Sequence, residues 1–436
     1  MTAPTSQPTP ESLEQWLAHI ERVHPSSIEM GLERTLQVRQ TLGLNPSFPI
    51  ITVGGTNGKG SACAMLEAIL HHAGYKVGCY TSPHLLRYNE RVRVACREAG
   101  DAALCRAFAA VEAARGATPL TYFEFGTLAA IRLFVEERID VAILEVGLGG
   151  RLDAVNAFDA DCALVMSVDL DHMDYLGETR EAIGFEKAGI FRRDRPAVCA
   201  DPDPPHALRQ HAARIGARLQ LIGEDFGYDS DKTQWQFRGP LGNRSGLPHP
   251  VLRGGYQLAN ASACLAALDA LRESLPVTMN DIRAGLLQAQ LPGRFQVLPG
   301  RPVMILDVAH NPHAAKALAE NLSAMTGGHT LAVFAMLKDK DIAGVITAVR
   351  QHVDHWLIAG IDAARGAPPA VLRRELKAAG VNVPVTECAS IAAACAQACD
   401  MAKENDRILV FGSFYTVAAA MRVREARKAP QASNKT

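Results

Sequence analysis

Residues 48 to 61 read F-P-I-I-T-V-G-G-T-N-G-K-G-S, an apolar run followed by four glycines, one lysine and one serine between Gly54 and Ser61. Glycines let backbone N–H groups curl round an anion, the first turn of a following helix adds the positive end of its dipole, and a lysine contributes a compact charge. Gly55, Thr56, Asn57, Gly58, Lys59, Gly60 and Ser61 are therefore candidate contacts for the phosphates of a nucleotide, with Lys59 also a candidate catalytic cation. The spacing departs from G-x-x-x-x-G-K-[ST], with one residue fewer between the glycines and Gly60 inserted before Ser61. The plain alternative is a glycine-rich strand-to-helix turn with a solvated lysine.

Glu145 ends the apolar run V-A-I-L-E. A carboxylate there can reach a magnesium ion held by phosphates on a neighbouring loop, or can accept N–H groups from the glycine-rich turn after it. Ser82, in Y-T-S-P-H-L, is by residue type a turn or cap serine whose hydroxyl could also complete a metal's shell. In D-L-D-H-M-D the aspartates Asp169, Asp171 and Asp174 suit a hard cation better than His172 does. Lys187, in F-E-K-A-G-I-F, reads from its residue type as a solvated helix lysine. Asp307 ends a second apolar run, and His310 and Asn311 precede a helix opened by Pro312, which presents polar groups at a helix N-terminus.

These residues need a scaffold, and the chain is long enough for two domains at 436 residues. Apolar runs at Pro49–Val53, Tyr75–Tyr80, Val141–Val146 and Cys162–Val168 end in Gly, Ser or acid and lead into Ala- and Leu-rich stretches such as Ala62–His72, the rhythm of βαβ units. Residues 202–255 change texture to short polar runs among Gly, Pro and Asp, which predicts a small antiparallel sheet, before helix returns over Gln257–Ser274. Leu291–Pro302, with three prolines and two glycines, reads as a linker, so the expected domains are 1–298 and 299–436. Strands at Val303–Val308, Thr330–Met336, Trp356–Ala359 and Arg407–Gly412 predict a second α/β domain. Lysine plus arginine total 45 against 46 acidic residues, which removes the broad positive field of a nucleic-acid or anionic-membrane binder. Ten cysteines with no C-x-x-C pair fit free thiols in a reducing compartment, and a polar, proline-rich start predicts a cytoplasmic protein. The polar tail after Arg427 predicts disorder.

Longer motifs carry a resemblance: H-P-S-S-I-E-M-G-L-E-R, G-T-N-G-K-G-S, T-S-P-H-L, T-Y-F-E-F, E-V-G-L-G-G-R-L-D-A-V-N, D-H-M-D-Y-L-G, E-K-A-G-I-F, L-P-G-R-F and D-V-A-H-N-P. Spread over nearly the whole chain, they resemble the folylpolyglutamate synthase and dihydrofolate synthase family, of the bacterial bifunctional type, within the superfamily of the Mur ligases. The resemblance implies an α/β protein with an N-terminal phosphate-loop ATPase-like domain, mostly parallel in sheet with a small antiparallel sheet, and a C-terminal Rossmann-like domain. It implies that Ser82 and Glu145 bind magnesium, that His172 binds a second magnesium, and that Lys187 is carboxylated and catalytic together with His310. ATP contacts carry over to Asn260 and Arg294, and Asp307 at its strand end is a further nucleotide-binding candidate. Segments around the family's pterin pocket match Glu29, Met30, Gly31 and Leu32, then Thr121, Tyr122, Phe123 and Glu124, then Arg151, Leu152 and Asp153. By residue type alone, Tyr122 and Phe123 are either ring-stacking groups or ordinary core. Ser413 and Tyr415 are further candidates for the glutamate site. The implied ligands are ATP, Mg2+ at two sites, a monovalent cation, dihydropteroate, tetrahydrofolate and L-glutamate, on a monomer.

A carboxylate meets an amine only after its oxygen becomes a leaving group, so a phosphate loop in an amide-forming enzyme implies phosphorylation of the acid, with ADP released and phosphate expelled by the amine. Other readings of the loop are a Mur-type muramyl ligase, which usually has threonine after the lysine where this chain has Gly60, a kinase acting on a hydroxyl, and a nucleotide-binding switch.

Overall fold

The computed structural model describes residues 10–428 apart from Ser27 and Thr326. Most of the N-terminal stretch and the tail from residue 429, read above as polar segments, lie outside the described residues. The chain folds into two compact units. One comprises the described residues up to His249 together with Ala259–Ala289, and the other comprises Pro250–Leu258 together with those from Gln290 onward.

In the first unit, β1 (Ile50–Gly54), β2 (Val77–Tyr80), β3 (Val92–Val94), β4 (Arg97–Glu98), β5 (Val141–Glu145), β6 (Cys162–Val165), β7 (Pro196–Cys199) and β8 (Arg218–Leu221) form one sheet in the order β4-β3-β2-β5-β1-β6-β7-β8. Along that order every pairing from β2 to β8 is parallel, and β3 pairs antiparallel with both β2 and β4 at the edge. Every residue of β1 and of β5 is buried, as helices on both faces of a parallel sheet require. The chain leaves β1 toward β2 on one side and β6 toward β7 on the other, so the carboxyl ends of β1 and β6 border a crevice at the point where strand order reverses. The helix Lys59–His72 rises from that crevice and buries Ser61 through Leu70. Its other flank packs on the helix Met279–Gln288, where a Cβ on Gly285 would meet the Ile69 backbone at 2.6 Å.

The expected antiparallel region begins later than its texture predicted. The helix His206–Ile215 and β8 still belong to the parallel layer, and β8 reads as polar because it is an exposed edge strand. The antiparallel sheet is β9 (Gly227–Ser230), β10 (Gln234–Gly239) and β11 (Gly242–Pro248), with Trp235 and Phe237 buried beneath it. The expected strand Cys162–Val168 stops at Val165; Met166 N still reaches Gly54 at the end of β1, but Ser167 and Asp169 bond to the turn that follows it.

The second unit holds β12 (Gln296–Leu298), β13 (Val303–Asp307), β14 (Thr330–Phe334), β15 (His355–Ile358), β16 (Val385–Glu387) and β17 (Arg407–Phe411), in the order β12-β13-β17-β14-β15-β16. All pairings are parallel except β12 with β13. The proline-rich stretch Leu291–Pro302 therefore contains an edge strand of this sheet. Among the described residues, no helix is long and apolar enough to cross a membrane.

Because the Gly285 site faces backbone, which cannot rotate away, Gly285→Ala is expected to destabilise the first unit by roughly 1–3 kcal/mol, as overpacking does. Denaturant unfolding followed by tryptophan fluorescence checks this.

Candidate active site

The phosphate loop is held from outside as well as from within. Thr56 N donates to Ser167 O at 2.6 Å, Thr56 Oγ1 donates to Asp169 O at 3.0 Å, Asp169 N donates to Thr56 Oγ1 at 3.0 Å, and Asn57 N donates to Ser167 Oγ at 3.0 Å. Two glycines permit this closeness. Gly55 has φ +136°, and a Cβ there would meet Met166 N at 3.0 Å; Gly58 has φ +88°, and its Cβ would meet Asn260 Oδ1 at 2.7 Å. Lys59 opens the helix, and its ammonium folds back over the loop, donating to Gly55 O at 2.9 Å and Thr56 O at 3.2 Å. Asn260, buried on the helix Tyr256–Ala270, thus sits against the loop that the sequence assigned to phosphate.

Glu145 is buried at the end of β5 and accepts Ser82 N–H at 3.0 Å, which brings a carboxylate and a serine hydroxyl to the same strand ends. Among the described residues no group of three or more His, Cys, Asp or Glu forms a metal cage. One carboxylate and one hydroxyl beside a phosphate loop nevertheless fit Mg2+, which usually keeps phosphate and water oxygens in its shell. Beyond β6, His172 adopts φ +51° at the start of a short helix, with Nε2 3.9 Å from Asp171 Oδ2.

Lys187 corrects the expectation of a solvated lysine. It is 4% exposed, on the face of the helix Arg180–Ala188 that also buries Ile183, Gly184 and Ala188. Burial, with repulsion from Lys59 added, lowers its pKa to about 7 against the pull of Asp171. The sequence did hold a signal, since Ile183 and Lys187 are one helical turn apart beside Ala188.

The three segments expected at the pterin pocket meet around the G-L-G-G turn after Glu145. A Cβ on Gly147 would meet the Phe123 ring at 2.7 Å, and one on Gly149 would meet Leu176 at 2.8 Å and Met30 at 3.5 Å. Met30, Leu32, Tyr122, Phe123 and Leu148 are all partly buried against the same core. Phe123 stacks near Tyr80 at 5.7 Å, while Arg91 lies 5.4 Å over Tyr122, whose hydroxyl pKa burial pushes up to about 12. Thr121 and Glu124 form the capping box of the helix Tyr122–Glu136, and Glu124 is buried against Arg34. Asp153 accepts Leu148 N at 2.8 Å and Val155 N at 3.0 Å, bonds that oppose the burial pushing its pKa up to about 7. Arg151 donates to Glu186 Oε1 at 2.9 Å, beside the half-buried Leu152. Glu29 pairs with Arg34 and with His24 Nε2 at 3.3 Å, and it precedes Gly31 in the same segment.

In the second unit, Arg294, Asp307 and His310 cluster near the end of β13. Asp307 accepts Phe295 N at 2.8 Å and Ala309 N at 2.7 Å; burial raises its pKa to about 6, with Arg294 opposing. Arg294 lies 5.0 Å over the Phe414 ring, and its Nη1 is buried without a protein partner. His310 Nδ1 lies 2.8 Å from Val308 O, an atom that only accepts, so Nδ1 carries the proton in that bond. Ser413 is buried against Thr416, and Tyr415 is exposed.

Over 418 residues, 95% of this chain and 96% of the relative, the sequence is 46% identical to the dihydrofolate synthase/folylpolyglutamate synthase of Escherichia coli (strain K12). The chain belongs to the dihydrofolate synthase/folylpolyglutamate synthase family. Its two parts match the Mur ligase middle domain over residues 53–268 and the Mur ligase glutamate ligase domain over residues 293–414. The structure of E. coli FolC in complex with DHPP and ADP superposes with a TM-score of 0.92 at 45% identity, covering 97% of this chain and all (100%) of that one. A bifunctional folylpolyglutamate synthase/dihydrofolate synthase with Mn, AMPPNP and L-glutamate bound gives a TM-score of 0.89 at 45% identity, covering 96% and 100%. As a family member the chain is an ATP-dependent, ADP-forming ligase.

Sequence reasoning missed the groups that hold the family's loops in place. Asp201 accepts Val168 N at 2.6 Å and Arg180 Nε donates to Val168 O at 2.9 Å, clamping the segment that carries Ser167 and Asp169. Neither residue lies in a motif; the Val168 atoms they hold are backbone, and Arg180 also pairs with Asp201 at 3.4 Å across a sequence gap that a single sequence does not reveal.

The Lys187 shift gives a pH signature. Its folded pKa of about 7 lies below the unfolded value of 10.5, so the unfolded chain binds the extra proton. Stability therefore rises with pH from 7 to 10.5, by at most about 1.4 kcal/mol per pH unit. In bicarbonate-free buffer, Lys187→Met is expected to remove that rise, so the wild-type minus variant difference in unfolding free energy should climb across this window. A flat difference refutes the neutral buried amine.

Proposed function

We propose that this ligase joins L-glutamate to dihydropteroate and adds further glutamates to tetrahydrofolate, through an acyl phosphate. The observation that carries this reading is the crevice itself. A phosphate loop fastened to the β6 segment lies next to Glu145 and Ser82, and aromatic and apolar residues surround the turn immediately after Glu145. Nucleotide phosphates and a flat acid thus have adjoining places within one unit.

On this reading Lys59 and the loop N–H groups hold the terminal phosphates, and the acid's carboxylate oxygen attacks the γ-phosphorus. The bond between the γ-phosphorus and the β-phosphate oxygen breaks, ADP leaves with that oxygen, and the carboxylate oxygen becomes the bridge between carbon and phosphorus in the acyl phosphate. Glutamate's amino group then adds to the acyl carbon, loses a proton and expels phosphate. Ser82 and Glu145 would hold one Mg2+, and His172 with Lys187 a second, where the metals neutralise phosphate charge. Lys187 is suited to carboxylation by carbon dioxide, because a buried amine that is neutral near pH 7 is a nucleophile and the resulting carbamate carries the negative charge a cation site needs. Asn260, Arg294 and Asp307 are assigned to ATP, His310 to catalysis, and the 29–32, 121–124 and 151–153 segments to the pteroate end. A monovalent cation belongs to the same proposal. With all ten cysteines free, the enzyme is assigned to the cytoplasm.

Hydroxylamine replacing glutamate should yield a hydroxamate in the presence of ATP and dihydropteroate. ADP release without dependence on a pteroate-like acid would remove the folate assignment. Lys187→Ala should lower kcat by about 10²-fold or more, the scale of a lost electrostatic group, while ATP binding by calorimetry changes little. Full activity in that variant would dispose of the carbamate.

A further inference from the structure

Arg34 closes the motif H-P-S-S-I-E-M-G-L-E-R and has so far been given no role of its own, yet it joins the 29–32 and 121–124 segments with all three guanidinium nitrogens. Its Nε donates to both oxygens of Glu124 at 3.2 Å, and its Nη2 lies 3.1 Å from Glu124 Oε1 and donates to the Glu29 carbonyl at 3.1 Å. Its Nη1 bonds the Glu29 carboxylate. The three partners differ in environment: the Glu124 side chain is 4% exposed, that of Arg34 20%, and that of Glu29 47%. The cation therefore reaches from a buried helix cap out to the pocket rim.

The two ends of this bridge lead to residues that lie against one turn. Glu124 closes the capping box with Thr121, N 2.7 Å from Glu124 Oε2, and so fixes the first turn that carries Tyr122 and Phe123. Glu29 precedes Met30, whose methyl lies close to Gly149, while the Phe123 ring lies against Gly147. The walls thus press on alternate glycines of one turn, and Arg34 is the group bonded to both. His24, buried and 3.3 Å from Glu29 Oε2, holds the rim end from its other side.

We infer that Arg34 is a positioning residue for the acid substrate, setting the separation of the pocket's two walls through Glu29 and Glu124. This rests on the reading of these segments as the pteroate site. A planar fork with several donors can span a backbone carbonyl and two carboxylates together, whereas a lysine ammonium is a single point donor. Nothing in the bridge touches the phosphate loop, so its loss should be felt by the acid and not by the nucleotide.

The test is steady-state kinetics on the full-length enzyme with dihydropteroate, ATP and L-glutamate. Arg34→Met alone would leave the Glu124 carboxylate buried without a cation, so the informative variants are Arg34→Lys, which keeps that charge, and the double variant Arg34→Met with Glu124→Gln, which removes both. Each is expected to raise KM for dihydropteroate by about tenfold or more, since small misplacements of bound groups cost that much, with KM for ATP and kcat within about twofold and the melting temperature close to wild type. Glu29→Gln should show a smaller rise of the same kind. An unchanged acid KM in Arg34→Lys, or parallel losses in acid KM, ATP KM and kcat, overturns the positioning role. A wild-type enzyme that releases no ADP on addition of dihydropteroate overturns the pteroate assignment, and Arg34's role falls with it.

Discussion

The proposed catalytic centre of the first unit depends on how closely two turns of backbone approach. The loop after β1 and the segment after β6 exchange hydrogen bonds through Thr56, Asn57, Ser167 and Asp169, and this is feasible because Gly55 and Gly58 present no side chain to Met166 and Asn260. Parallel strands alone bring their carboxyl ends within range of one another; the cross-bonds convert proximity into a fixed shape. The N–H groups that line the loop are therefore oriented before any anion arrives, which is the condition under which dipoles stabilise charge without reorganising.

The same arrangement explains the electrostatic tension around Lys187. One lysine belongs to the phosphate loop, and another is buried close enough to raise the cost of its own protonation. Two cations near one anion-binding crevice would be redundant at rest. The tension eases when the second amine is neutral or converted to an acid, and it would also ease with an anion bound. Asp171, beside both His172 and Lys187, tempers it from the other direction.

The sequence revealed whatever is encoded by type and spacing. The alternation of apolar runs with Ala-rich stretches gave both sheets, and the strands were placed within a few residues because their buried runs are almost uninterrupted. The glycine-lysine turn was legible for the same reason, since few other purposes call for that mixture after a buried strand. The polar region after β7 was misjudged at its start, because an edge strand with one wet face looks like loop. Burial of Lys187 was hidden by its type, and the roles of Arg34, Arg180 and Asp201 by their partners. Those residues act on carbonyls, N–H groups or distant acids, and a single sequence records neither distance nor direction.

The glycine turn after Glu145 has a consequence for how such a pocket can drift over generations. Phe123 occupies the space that a side chain at 147 would need, and Leu176 occupies that at 149. Phe123 can therefore shrink first, but Gly147 can enlarge only after that ring has receded. A larger residue at 147 should accordingly arrive only after a change at 123, the reverse order forcing the Phe123 ring aside, while 149 stays glycine because its φ of +68° bars a side chain however its neighbours recede. The turn works as a ratchet on the history of the pocket.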